Sequence, residues 1–97
     1  MQNFRALILG LRDEDSQVKK ISADVILGEF SVEDIVSYYS MKANQAISLL
    51  CNLKDMLISG GYRKDIKAFL KELIYKLEIN INKDGKYYDE NSVPNSS

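Results

Sequence analysis

From Ile66 to Leu77, the residues Ile66, Phe69, Leu70, Leu73, Ile74 and Leu77 recur at spacings of three and four, with charged residues filling most of the intervals. That period places all six on one face of an α-helix and leaves the opposite face polar. An isolated helix is marginal in water, so a stripe this long needs other elements to cover it. The rest of the chain supplies further stripes of the same period rather than the alternation of strands.

Phe4, Leu7, Ile8 and Leu11 form the first stripe, at i, i+3, i+4 and i+7. The run Asp13-Glu14-Asp15-Ser16 offers N-cap chemistry for a second helix, whose expected stripe is Val18, Ile21, Val25 and Ile26 and whose expected stop is Gly28. A third starts at Ser31, which forms a Ser-x-x-Asp box with Asp34, while Phe30 and Ile35 take the two staple positions; it ends near Tyr39. Ser40 is placed to cap a fourth helix carrying Ala46, Leu49, Leu50, Leu53, Met56 and Leu57, closed by Gly60-Gly61. The fifth runs from Tyr62 to about Leu77. Beyond it Ile79-Asn80-Ile81-Asn82 alternates, Lys83-Asp84-Gly85 makes a turn and Lys86-Tyr87-Tyr88 follows, which reads as a short hairpin-like or irregular segment. The expected fold is all-α: a compact bundle of about five helices in a single domain over residues 1–82, then a turn and flexible polar tail over 83–97.

The 97 residues include no histidine, no tryptophan and one cysteine, Cys51. An intramolecular disulfide and a Cys/His zinc site are therefore excluded, and a reducing, cytoplasmic setting fits best. Lack of histidine removes the usual proton relay for a serine or cysteine nucleophile, so the chain is expected not to be an enzyme and to need no cofactor. Cys51 has no cationic base beside it and reads as a small packed hydrophobe. Ala6 to Leu9 is too short for a signal-peptide core or a membrane span, so no membrane association is expected. The Ile, Lys, Asn and Tyr usage fits an AT-rich coding source such as a bacterium or its phage.

Two local patterns resemble known sites. Asn80-x-Asn82-x-Asp84-Gly85 opens like an EF-hand calcium loop, but Tyr87 stands where a small aliphatic is usual and Asn91 replaces the bidentate glutamate. A plain Lys-Asp-Gly turn is the better reading, and no metal is expected. Residues 32–50 thread onto a helix-turn-helix, with Ile35, Tyr39, Met41, Ala46 and Leu49 in its buried positions and Lys42, Asn44, Gln45 and Ser48 toward DNA base edges. Against it, Val36 sits where a small residue lets the helices cross, and Ser40 replaces the turn glycine. Residues 1–60 also hold six Lys/Arg against eight Asp/Glu, a thin supply of phosphate contacts.

The segments Ile26-Leu-Gly-Glu-Phe30-Ser-Val-Glu-Asp-Ile35, Ala46-Ile-Ser-Leu-Leu50 and Phe69-Leu-Lys-Glu-Leu73 are spaced like the second to fifth helices of a caspase-recruitment domain. The chain thus resembles the death-fold superfamily over residues 18–77, through a pattern of hydrophobic positions rather than a chemical motif. A sixth helix is missing or replaced by the hairpin-like segment. The resemblance implies a non-enzymatic module that joins like domains into asymmetric oligomers through acidic and basic faces.

The charge pattern can be read without the family. Asp24, Glu29, Glu33 and Asp34 cluster around helices two and three, whereas Arg63, Lys67 and Lys71 form an i, i+4, i+8 row on helix five with Lys64 beside it. Two faces of opposite sign favour self-association or a protein partner. Tyr38-Tyr39 and Tyr87-Tyr88 are further contact candidates. The expected function is protein–protein association as an adaptor, regulator or inhibitor of a larger partner; the alternative is a helix-turn-helix DNA-binding regulator. Because Leu70 and Leu73 lie at the centre of the clearest stripe, Leu70→Ala or Leu73→Ala should each cost about 2–5 kcal/mol in denaturant unfolding. A change below about 0.5 kcal/mol would show that this face is not the core.

Overall fold

Helix boundaries fall where side chains can satisfy the orphan backbone groups of a helix end. The computed structural model describes residues 3–84, which form α1 (Phe4–Leu11), α2 (Ser16–Glu29), α3 (Val32–Tyr39), α4 (Ala43–Ser59) and α5 (Lys64–Asp84), with no strand among the described residues. Asp15 caps α2 by accepting from the Gln17 N–H at 2.8 Å, and its own N–H donates to Asp13 Oδ1 at 2.8 Å. Ser31 caps α3 by accepting from the Asp34 N–H at 3.1 Å, which is the serine half of the expected Ser-x-x-Asp box. Phe30 and Ser31 are extended, so α2 and α3 are joined by two non-helical residues. Gly60 and Gly61, at φ of 78° and 88°, reverse the chain between α4 and α5 in a region that L side chains avoid.

The core is one cluster. Phe4, Ile8 and Leu11 of α1 meet Ala23 and Ile26 of α2, Val32, Ile35 and Tyr39 of α3, and Leu49, Leu53 and Met56 of α4; Ile66, Leu70, Leu73, Leu77 and Ile81 of α5 complete it. α5 packs against α2, α3 and α4, whereas α1 packs along α2. The Phe4 and Phe30 rings meet edge to face at 5.4 Å, tying the start of α1 to the end of α2.

Several sequence expectations are corrected. Val18 and Ile21 do not face the core: they are 36% and 54% exposed, and α2 buries the expected Ile26 together with Ser22 and Ala23. The cause is the α1–α2 contact, where Gly10 lies against Ser22 so closely that any Cβ on residue 10 would overlap the Ser22 hydroxyl. Small residues at that crossing bring the helices together and turn the larger Val18 and Ile21 outward. α2 also continues one residue past Gly28.

Ser40 does not cap α4. Its hydroxyl donates back to the Ser37 carbonyl at 2.7 Å, closing α3, and α4 starts after Lys42 without a side-chain cap. Met41 is 83% exposed rather than buried, and Cys51 is exposed rather than packed. The segment Ile79–Asp84 is the last part of α5, not a strand of a hairpin, and the helix passes the expected domain limit at residue 82. Ile81 follows Leu77 by one turn and continues the buried stripe, so packing decides against the local alternation. Residues 85–97, with the remainder of the hairpin-like segment and the polar tail, lie outside the described residues.

Gly10→Ala sets two effects against each other. Alanine is favoured in a helix by about 1 kcal/mol, while overlap with Ser22 in a tight crossing costs about 1–3 kcal/mol. The expected outcome is net destabilisation, with Ser22→Ala recovering part of it in the double variant; additive losses in urea unfolding would show that the crossing does not depend on this contact.

Candidate interaction surface

Each charged candidate is held by the helix that carries it, and the bundle decides what it meets. Asp24 on α2 lies 3.0 Å from Arg63, which stands just before α5 rather than on it, and 3.5 Å from Lys20. Arg63 also grips Asp65 with two N–H donors at 3.0 Å each. Glu33 on α3 pairs with Lys76 on α5 at 2.8 Å, and Lys76 reaches Glu72 at 3.3 Å. Part of the acidic cluster therefore leans on α5 and is neutralised there. The expectation of two separate faces of opposite sign gives way to a partly paired seam.

The pairs leave their mark on proton affinity. The Arg63 guanidinium holds the Asp24 and Asp65 carboxyls below the usual carboxylate range, and the Lys76 ammonium does the same to Glu33. Arg63 and Lys76 are raised by the same contacts. Glu29 and Asp34 remain exposed. So do Lys64, Lys67 and Lys71, none of which is paired with a carboxylate among the described residues. These three lysines follow one another along the outer side of α5, which is what survives of the basic row.

Three concavities adjoin these residues. The first, about 250 Å³, has Leu11, Ala23, Tyr62 and Ile66 as its apolar floor and Lys19, Lys20 and Arg63 among its walls, beside the Ser16 end of α2 and Gly61. Burial raises the Tyr62 phenol above its ordinary range. The second, about 50 Å³, lies between Arg5, Ile8 and Leu9 of α1 and Ser48, Leu49 and Asn52 of α4. The third, about 260 Å³, runs between Val36 of α3 and Tyr75, Lys76, Ile79 and Asn80 of α5.

The DNA candidates occupy the start of α4. Asn44, Gln45 and Ser48 are exposed there, while the Lys42 ammonium sits 5.2 Å from the Tyr38 ring centre, in cation–π range. Nearby, Arg12 is tied to Asn52 and to Asp55. For calcium, Asn80 and Asn82 lie two apart on α5, where side chains point to opposite sides of the helix and do not converge on one ion; the Asp84 side chain lies outside what is described. No group of three or more acidic, histidine or cysteine residues suited to a metal occurs among the described residues.

Sequence reasoning missed Lys19, Lys20 and Tyr62. The adjacent lysines one turn into α2 were a visible signal; nothing local shows that Tyr62 of the α4–α5 link folds over Leu11 and Ile66. Comparison with protein-family models, curated proteins and solved structures gives no match. Among the described residues, no helix is long and apolar enough to cross a membrane.

A pH titration follows from the paired carboxylates. A carboxyl whose folded pKa is depressed adds stability that is present above its ordinary pKa and lost as pH falls through the folded value. Thermal stability should therefore decline below about pH 5. Asp24→Asn together with Glu33→Gln should flatten that decline, as should 1 M salt, because the pairs are exposed and screened. An unchanged acid limb in the double variant would show that these pairs contribute nothing in solution.

Proposed function

We propose that this chain is a non-enzymatic helical module that works by binding another protein, as an adaptor, a regulator or an inhibitor of a larger partner, in a reducing intracellular compartment. The observation that carries the reading is the 250 Å³ cavity with an apolar floor at Leu11, Tyr62 and Ile66 and the cations Lys19, Lys20 and Arg63 around it. Small-molecule sites usually occupy about 300–1,000 Å³, so this cavity suits one anchoring side chain better than a cofactor. Its walls favour an anchor flanked by carboxylates. Lys64, Lys67 and Lys71 extend the attraction along α5, and the outward Val18 and Ile21 add apolar contact area beyond what the core uses. A resemblance to caspase-recruitment domains agrees with this class of function, and Glu29 and Asp34 remain available as the acidic side of such an association.

Helix-turn-helix DNA binding is the second reading, supported by the three-residue turn between α3 and α4 and by the exposure of Asn44, Gln45 and Ser48. Exposed Met41 weakens it, since that position belongs to the packed interior of the motif.

The two readings give opposite orders of effect. Proteins retained from a nuclease-treated lysate should be lost with Lys67→Glu and Lys71→Glu and kept with Asn44→Ala and Gln45→Ala. Both double variants and the wild type are also titrated against duplex DNA across salt, where phosphate binding falls log-linearly. Tight duplex binding at physiological salt that only the Asn44/Gln45 variant abolishes would overturn the proposal.

A further inference from the structure

The cavity beside α2 is open because two of its wall positions are small. Ala23 of α2 and Gly61 of the α4–α5 link add little bulk between Leu11, Tyr62 and Ile66, which leaves about 250 Å³. Apolar floor and cationic wall share this one space. Lys19 and Lys20 line it from the same side of α2 as Ala23, and Arg63 joins them from the link.

The charges at that wall do not cancel. Asp24 and Asp65 hold Arg63 at 3.0 Å each, and Asp24 also meets Lys20 at 3.5 Å. Lys19 is half-buried and has no carboxylate partner among the described residues. Asp15, one turn earlier, is turned to the Gln17 N–H as the cap of α2. Three cations against two carboxylates leave one positive charge at the cavity, and Lys19 carries it.

An occupant that fills so small a space must bring its apolar body and its negative charge in the same residue. No side chain does both, since large apolar side chains are uncharged and aspartate and glutamate have little apolar body. A large apolar residue at the end of a chain does, because its main chain finishes in a carboxylate. Resting on the reading that this cavity takes a partner's anchor, we propose that the anchor is a partner's C-terminal residue, its apolar side chain on Leu11, Tyr62 and Ile66 and its α-carboxylate on Lys19.

One carboxylate matches the single excess charge, whereas a phosphate group, at about −1.5 to −2 near neutral pH, overshoots it. Partial enclosure by apolar walls strengthens the carboxylate–ammonium contact relative to one in open water. The recognition is also selective, because every internal segment of a protein lacks the α-carboxylate.

Peptide titrations into the full chain test this, with the Ala23 and Ile66 methyl NMR signals as reporters and Ile58, 84% exposed on α4, as the control. Acetyl-glycyl-phenylalanine should shift both reporters, leave Ile58 unmoved and bind at least about tenfold tighter than its C-terminal amide, as a hydrogen bond to a charged group implies. Acetyl-glycyl-alanine, which keeps the carboxylate and lacks the anchor, should bind about tenfold more weakly or worse. Lys19→Ala removes the ammonium and no core side chain, and should bring the acid down to the affinity of the amide. Equal binding of acid and amide to the wild type would overturn the proposal, and an acid preference that survives Lys19→Ala would overturn the assignment to Lys19. Tighter binding of acetyl-Asp-Phe-Asp-amide than of the free acid would also overturn it, while keeping the cavity as the seat of an internal anchor flanked by carboxylates. If no peptide moves Ala23 and Ile66, the terminus and the anchoring role of the cavity fall together.

Discussion

Everything in this bundle answers to the need to cover one long helix. α5 buries Ile66, Leu70, Leu73, Leu77 and Ile81 along a single line, and a stripe of that length exceeds what one neighbouring helix can shield. α2, α3 and α4 divide it among them, and α1 reaches the core by packing on α2. Around the rim, one ion pair joins the α5 region to each of the three: Asp24 of α2 with Arg63, Glu33 of α3 with Lys76, and Lys54 of α4 with Glu78. Exposed pairs of this kind contribute roughly 0–1 kcal/mol each. They follow the register that the buried stripe sets and mark where along α5 each helix sits.

That arrangement also governs which charges remain for other molecules. Carboxylates on the α5-facing edges of α2 and α3 are drawn into the seam, while the lysines on the outer side of α5 have no such neighbour among the described residues. A chain with a net charge of −1 thus presents a locally basic strip. Local potential, rather than net charge, steers a partner over distances within a Debye length of about 8–10 Å.

The α1–α2 crossing shows how one small residue redirects a whole face. With Gly10 seated on Ser22, the helices approach through Gly, Ser and Ala, and the burial axis of α2 turns toward Ala23 and Ile26. Val18 and Ile21 are then left at the surface on a helix whose apolar residues outnumber the places its partners provide. Surplus apolar surface of this sort costs solubility unless it meets something, which makes the outer side of α2 as informative as the cation-lined cavity beside it.

The sequence by itself determined the number and class of the elements, because helix periodicity and caps are local. Ser31 with Asp34, the Asp15 cap, the Gly60-Gly61 reversal and the stripe of α5 are written within a few residues of where they act. Whether Val18 or Ala23 faces the core is not local, since both lie on α2 and only the close seat of Gly10 on Ser22 chooses between them. The alternating Ile79-Asn80-Ile81-Asn82 likewise satisfies a short strand or a helix equally well until Leu77 and Ile81 meet the same core. The charged candidates were readable as residues but not as a site. Contacts such as Asp24 with Arg63 and Glu33 with Lys76 join residues far apart in sequence, and only packing around α5 sets which charges are paired and which remain free.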